Sequence, residues 1–362
     1  MRRDGCSSGG GRGFWERRER AVNYITHGSV GTPRLMADPS DGKERLERLR
    51  RFLEKNYQVE IASLTRLDRG VYRAERSPGP SWVVRIFPEE RELERARGDA
   101  AVLQFLAAQD FPSERCAAAE PVTNPAKRGV LVTEFEEGAP ADNGVVNSRW
   151  LGSVSGWLHT LRPRAEPLLR PAGALHIIDP NGGLPADEIR RALAWLEELE
   201  GSVPPKAKAA FLHLREHLST ADDASDLPVA LIHPDAVVRN VIETHGHQMR
   251  LVDWTGAGTG PRAWALAWTI WACAFAGEQW SPEQVRAAVE GYRAKIELEP
   301  DEIDRLPELM AVRPMVLAAF RIRRFIKAGK SLNGHEWWWP DENYTAAIAN
   351  EAQRAFRLPR AD

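Results

Sequence analysis

His233, Asp235, Asn240 and Asp253 lie in one short stretch, LIHPDAVVRNVIETHGHQMRLVD, from Leu231 to Asp253. Their types and order suit phosphoryl transfer from a metal-bound nucleotide. Asn and Asp side chains offer the hard oxygen ligands that Mg²⁺ takes. A further carboxylate nearby can accept the proton of an attacking hydroxyl. Asp235 and Asn240 stand five positions apart in a tight polar loop. The apolar ALI before that loop predicts a buried strand. After it, VIET and MRLV flank the turn-like HGHQ, a pattern that reads as a β-hairpin. Asn240 opens the first strand and Asp253 closes the second, so their side chains can converge at the open end.

The rest of the chain must position these groups. With 362 residues it is long enough for one large core or two moderate ones. Hydrophobic content of 43% and charged content of 28% fit a soluble globular protein. A net charge of −2 provides no field directed at nucleic acid or an anionic membrane. No nucleic-acid partner and no membrane partner is therefore expected. Cys6, Cys116 and Cys273 are scattered and odd in number, which points to a reducing cytoplasm. No apolar segment follows the N-terminal MRR, so no secretory signal is read. The longest apolar run, Trp264 to Ala276, has 13 residues and suits a buried helix better than a membrane span.

Residues 1–40 are rich in Gly, Ser and Arg and read as a disordered extension. From Glu44, Leu46, Leu49, Phe52 and Leu53 share one helical face. VYRAE and WVVRIF flank Ser77–Pro80 and predict a hairpin. A helix over Arg91–Gln109 and a strand, GVLVTEF, ending at Phe135 complete a small β-rich block, 41–137. The remainder, 138–362, reads as mostly helical. Its segments are Trp150–Leu161, Asp187–Leu199, Lys206–Leu218, Arg262–Ala276, Pro282–Leu298 and Met315–Ala328. The fold class expected is α+β, with a β-rich lobe before a larger helical one.

HPDAVVRN resembles the catalytic loop of the aminoglycoside phosphotransferase and choline kinase-type family, whose usual form is H-G-D-L-H-P-G-N. That family shares the bilobal protein-kinase-like fold. His233, Asp235 and Asn240 match, while Val237 replaces the second His and Val238-Arg239 replace Pro-Gly. LVDWTGAGTGPRAWALA resembles the family's metal-binding strand and following helix, with Asp253 in the metal-binding position. The resemblance implies ATP and Mg²⁺ as cofactors and a small-molecule hydroxyl as acceptor. It implies Asp235 as catalytic base, His233 as the orienter of the loop, and Asn240 and Asp253 as metal ligands. It places Arg85 where the family's phosphate-binding Lys stands, and Asp99 on the following helix as its ion-pair partner. Gly70 would mark the phosphate-covering turn, and Glu134, Phe135 and Glu136 the hinge that offers backbone groups to adenine.

Other readings remain. Sparse glycines and the Arg85 and Asp99 substitutions suit a nucleotide-binding pseudokinase or scaffold. His233, Asp235, His245, His247 and Asp253 could instead form the site of a metal-dependent hydrolase. GAGTG, at 256–260, reads as a flexible turn ahead of a helix opened by Pro261, and not as a dinucleotide motif. Trp264, Trp268 and Trp271 could cage a cation, but their helical spacing favours core packing. Trp337–Trp339 are candidates for an acceptor pocket.

Overall fold

The computed structural model describes residues 39–124, 128–173, 183–276, 279–329 and 342–359. The expected extension, apart from its last two positions, and Trp337–Trp339 lie outside the described residues. Helix α1 (Pro39–Tyr57) precedes strands β1 (Ile61–Asp68), β2 (Val71–Arg76) and β3 (Trp82–Ile86). Helix α2 (Leu93–Ala108), β4 (Val122–Thr123) and β5 (Val130–Glu134) follow. The five strands form one antiparallel sheet in the order β1-β2-β3-β5-β4. Side chains alternate across a strand. Tyr72, Ala74, Trp82 and Val84 therefore pack on one face with Leu49 and Leu53 of α1. Arg85, next in sequence to Val84, is carried to the opposite face.

Next come β6 (Gly138–Pro140) and helices α3 (Val145–Thr160), α4 (Pro185–Leu199) and α5 (Lys208–Ser219). Strands β7 (Val229–Ile232), β8 (Val241–Thr244), β9 (Met249–Leu251) and β10 (Gly258–Pro261) carry the motif stretch. Helices α6 (Arg262–Cys273), α7 (Pro282–Arg293), α8 (Pro300–Asp304), α9 (Leu306–Lys327) and α10 (Glu342–Arg357) close the described fold. Among the described residues, no helix is long and apolar enough to cross a membrane. The architecture is α+β, with the sheet toward the N-terminus and helices dominating thereafter.

Two expectations need correction. The helix expected from Met315 begins at Leu306 and runs through Pro314. Proline removes one helical hydrogen bond. Here Leu309, Met310, Val312 and Val316 are all buried around it, and that packing keeps the helix continuous. The 256–260 segment is not a free turn. Gly256 turns with φ +83, after which β10 pairs with β7. A Cβ at Gly258 would lie 2.6 Å from Arg170 O, so that glycine permits a close backbone approach.

Candidate active site

Strand β7 delivers His233 into the core, 2% exposed. His233 Nδ1 accepts from the backbone N–H of Asp235 at 3.0 Å, and Nε2 faces Val252 O at 3.2 Å. A neutral imidazole protonated on Nε2 satisfies both contacts. Burial keeps its pKa below the ordinary histidine value, against the pull of the Asp235 and Asp253 carboxylates. Both ring nitrogens are occupied, so His233 pins the loop to the end of the hairpin. The ring also rests edge-on against Trp254, with centroids 4.6 Å apart.

The Asp235 carboxylate is gripped from two sides. Its Oδ2 accepts from Arg239 Nη2 at 2.6 Å and from Asn240 Nδ2 at 3.1 Å. Its Oδ1 accepts from the Trp268 indole N–H at 3.0 Å. Burial acts to raise its pKa, but the Arg239 charge, the Trp268 N–H and the Arg313 charge outweigh it and hold the carboxyl below its ordinary value. Arg313, on α9, is 1% exposed. It donates to Pro234 O and pairs with Glu188 at 2.8 Å, and its guanidinium lies 4.4 Å from the Trp264 ring centroid. The loop backbone is thus held from beneath by a buried, neutralised cation.

The hairpin forms as its spacing requires. Val241 pairs with Leu251, and Val252 N donates to Asn240 O at 2.8 Å. Asn240 and Asp253 therefore flank the open end. Asp253 has φ +65, a left-handed conformation that Asp tolerates better than most residues. Its side chain is 33% exposed, and Arg85 Nε stands 3.8 Å from its Oδ1.

Sequence reasoning missed the partner of Arg85. The expected Arg85–Asp99 pair does not form. Arg85 Nη1 instead donates to Glu114 Oε2 at 2.8 Å and to Thr133 Oγ1 at 3.1 Å. Burial disfavours the guanidinium charge, but the Glu114 and Asp253 carboxylates more than compensate and raise its pKa. Glu114 arrives because Pro112–Glu114 runs beside β9. Leu251 N donates to Pro112 O at 2.8 Å, and Glu114 N donates to Leu251 O at 3.1 Å. Asp99 is fully buried and lies elsewhere. It pairs with Arg91 at 2.6 Å and with Arg170, and it accepts from Gly256 N at 3.0 Å.

Gly70, with φ +75, caps the β1–β2 turn. Ile86 N donates to Gly70 O at 2.7 Å, so the turn lies against the end of β3 next to Arg85. In the hinge, Glu134 N donates to Arg115 O and Phe135 N to Ser81 O. Among the described residues, Glu136 N–H has no backbone acceptor. Burial raises the pKa of the Glu136 carboxyl.

The histidines needed for a hydrolytic metal centre do not gather. His247 is on the hairpin turn, with its side chain 89% exposed, and it contacts Glu243 at 2.9 Å. His245 bonds Glu137 O at 3.0 Å. Among the described residues, no three His, Cys, Asp or Glu converge to hold a metal. Asn240 and Asp253 offer a different donor set. The Asn240 amide nitrogen is spent on Asp235, which leaves its carbonyl oxygen available beside a carboxylate. Two hard oxygens fit Mg²⁺ better than a transition metal. Trp264, Trp268 and Trp271 are buried, as their spacing predicts. Trp268 nonetheless touches the site through its N–H.

The sequence profile of the phosphotransferase enzyme family matches residues 61–304. No curated protein matches. Among solved structures, amicoumacin kinase in complex with AMP-PNP and Ca²⁺ is 14% identical, with a TM-score of 0.57, covering 88% of this chain and 96% of that one. Choline kinase LicA from Streptococcus pneumoniae is 14% identical, with a TM-score of 0.53, covering 86% and 99%. Macrolide 2'-phosphotransferase MphH from Brachybacterium faecium is 16% identical, with a TM-score of 0.52, covering 88% and 100%. These likenesses place the fold among the protein-kinase-like phosphotransferases. The profile match spans more than half of the sequence and includes Arg85, Glu114 and the stretch from His233 to Asp253, and the chain belongs to the phosphotransferase enzyme family.

Proposed function

We propose that the protein transfers the γ-phosphoryl group of ATP, with Mg²⁺, to a hydroxyl group of a small molecule. The observation that carries this reading is the grip on Asp235. Arg239, Asn240 and Trp268 hold an ionised carboxylate at the mouth of the hairpin that ends in Asp253. Similar structures bearing the names choline kinase and macrolide 2'-phosphotransferase support a small-molecule acceptor.

In this reading Asp235 orients the acceptor hydroxyl and takes its proton. A positioned base contributes roughly 10²–10⁴-fold. His233 does not move the proton, because both of its nitrogens are engaged. Asn240 and Asp253 hold the metal. Mg²⁺ supplies charge neutralisation along the β- and γ-phosphates. Arg85 approaches the phosphates from the sheet, held in place by Glu114. The turn at Gly70 covers them, and the backbone of Glu134, Phe135 and Glu136 receives adenine. Asp99 contributes indirectly, by bonding the backbone just beyond Asp253.

The test is an ATP-consumption screen over hydroxylated small molecules, with Asp235→Asn as the blank. Turnover above the blank for at least one acceptor is expected. Mg·ATP binding without turnover across the panel would point instead to a nucleotide-binding scaffold.

A further inference from the structure

Arg239 stands where the resembled family loop has Gly, so that resemblance assigns it no role. It is one position before Asn240, and its Nη2 lies 2.6 Å from Asp235 Oδ2. A bland account would make it a local ion pair of little energetic weight. Two observations speak against that account. Asp235 already has two other side-chain donors, so its orientation does not depend on Arg239 alone. The guanidinium is also far from spent. The Asp235 contact is its one hydrogen bond among the described residues, and none of its remaining N–H groups is buried without a partner. Its side chain is 32% exposed.

Two other cations of the site, Arg85 and Arg313, already have buried carboxylate partners. Arg85 is bound to Glu114 and Thr133. Arg313 is buried on Glu188 and Pro234 O. An incoming phosphoryl group would add negative charge beside the Asp235 and Asp253 carboxylates. Arg239 has both the charge and the open donors to receive it.

We propose that Arg239 is a catalytic residue that binds the oxygens of the phosphoryl group during transfer while remaining paired with Asp235. The assignment rests on the phosphotransfer reading above. In the step it serves, the acceptor oxygen forms a bond to the γ-phosphorus and the bond from that phosphorus to the bridging oxygen breaks. ADP leaves with that electron pair, and the hydroxyl proton passes to the Asp235 carboxylate. Arg239 makes no covalent bond. Its N–H groups hold equatorial oxygens whose charge is redistributed in the transition state.

The experiment uses Mg·ADP with and without aluminium fluoride, a mimic of the transferring phosphoryl group, and reads affinity by calorimetry. The native chain is expected to bind Mg·ADP more tightly when fluoride is present. Arg239→Met should bind Mg·ADP within about twofold of the native chain but lose at least about tenfold of the fluoride-dependent gain. Arg239→Lys, which keeps the charge without the fork, should retain part of it and serves as the second variant if Arg239→Met does not fold. An undiminished gain in Arg239→Met, or no gain in a native chain that binds Mg·ADP, overturns the proposal. A native chain that does not bind Mg·ADP overturns the phosphotransfer reading itself.

Discussion

Glu114 Oε1 accepts a 2.8 Å hydrogen bond from the backbone N–H of Asp253, while its Oε2 accepts from Arg85 at 2.8 Å. One buried carboxylate thus joins the cation of the sheet to the backbone of the candidate metal ligand. Glu114→Gln replaces one acceptor oxygen with a donor facing Arg85 or Asp253. Breaking a buried ion pair from one side costs about 3–5 kcal/mol. The expected outcome is a loss of that order in chemical denaturation, with a weaker apparent affinity for Mg·ATP. Native-like stability would mean that Arg85 is satisfied without Glu114.

Trp268 combines core packing with a bond to the site. Trp268→Phe keeps an aromatic ring stacked on Trp271, where the present centroids are 5.2 Å apart, but removes the N–H on Asp235 Oδ1. A hydrogen bond to a charged group is worth about 1.5–3 kcal/mol. Turnover should fall by roughly tenfold or more, with a smaller change in melting temperature. Equal turnover in steady-state assays would show that the indole N–H is dispensable.

Gly98 lets Arg170 cross α2 to reach Asp99 and Ala257 O. A Cβ at Gly98 would lie 2.2 Å from Arg170 Nε. In an open helix, Gly→Ala would stabilise by about 1 kcal/mol. Here Gly98→Ala is expected to destabilise by about 1–3 kcal/mol, because Arg170 is held at both Asp99 and Ala257. In an Arg170→Ala background the same change should become stabilising. Denaturation of the four proteins of this cycle checks the reversal of sign.

His159 is buried beside Tyr292, its Nδ1 3.0 Å from the phenol oxygen. Burial lowers its pKa from 6.5 to about 3, with a smaller push from the Arg262 charge. The unfolded chain takes up the proton first as pH falls. His159 therefore leaves stability unaffected above about pH 6.5, and below it costs about 1.4 kcal/mol per pH unit until the folded pKa is reached. His159→Gln should flatten the stability–pH curve between about pH 6 and pH 4. An unchanged slope in urea titrations across that range would exclude His159 as its source.

The motif stretch was legible because its contacts are local. A two-strand hairpin determines that Asn240 and Asp253 meet, and the loop between β7 and β8 is too short to carry Asp235 away. Amphipathic spacing likewise announced α1, and the turn residues Ser77–Pro80 between two β-type runs announced the β2–β3 pair. What the sequence could not disclose depends on pairings distant along the chain. Glu114 reaches Asp253 only because Pro112–Glu114 lies alongside β9, a register unrelated to any local pattern. Asp99 does not pair with Arg85, and its carboxylate is taken by Arg91, Arg170 and Gly256 N. The sequence by itself determined which polar groups the loop brings together, since residue type and short-range geometry suffice for that. Only the tertiary structure decided which carboxylate neutralises Arg85 and that the Trp268 indole reaches Asp235, since in a folded core such partners are chosen by packing between remote segments.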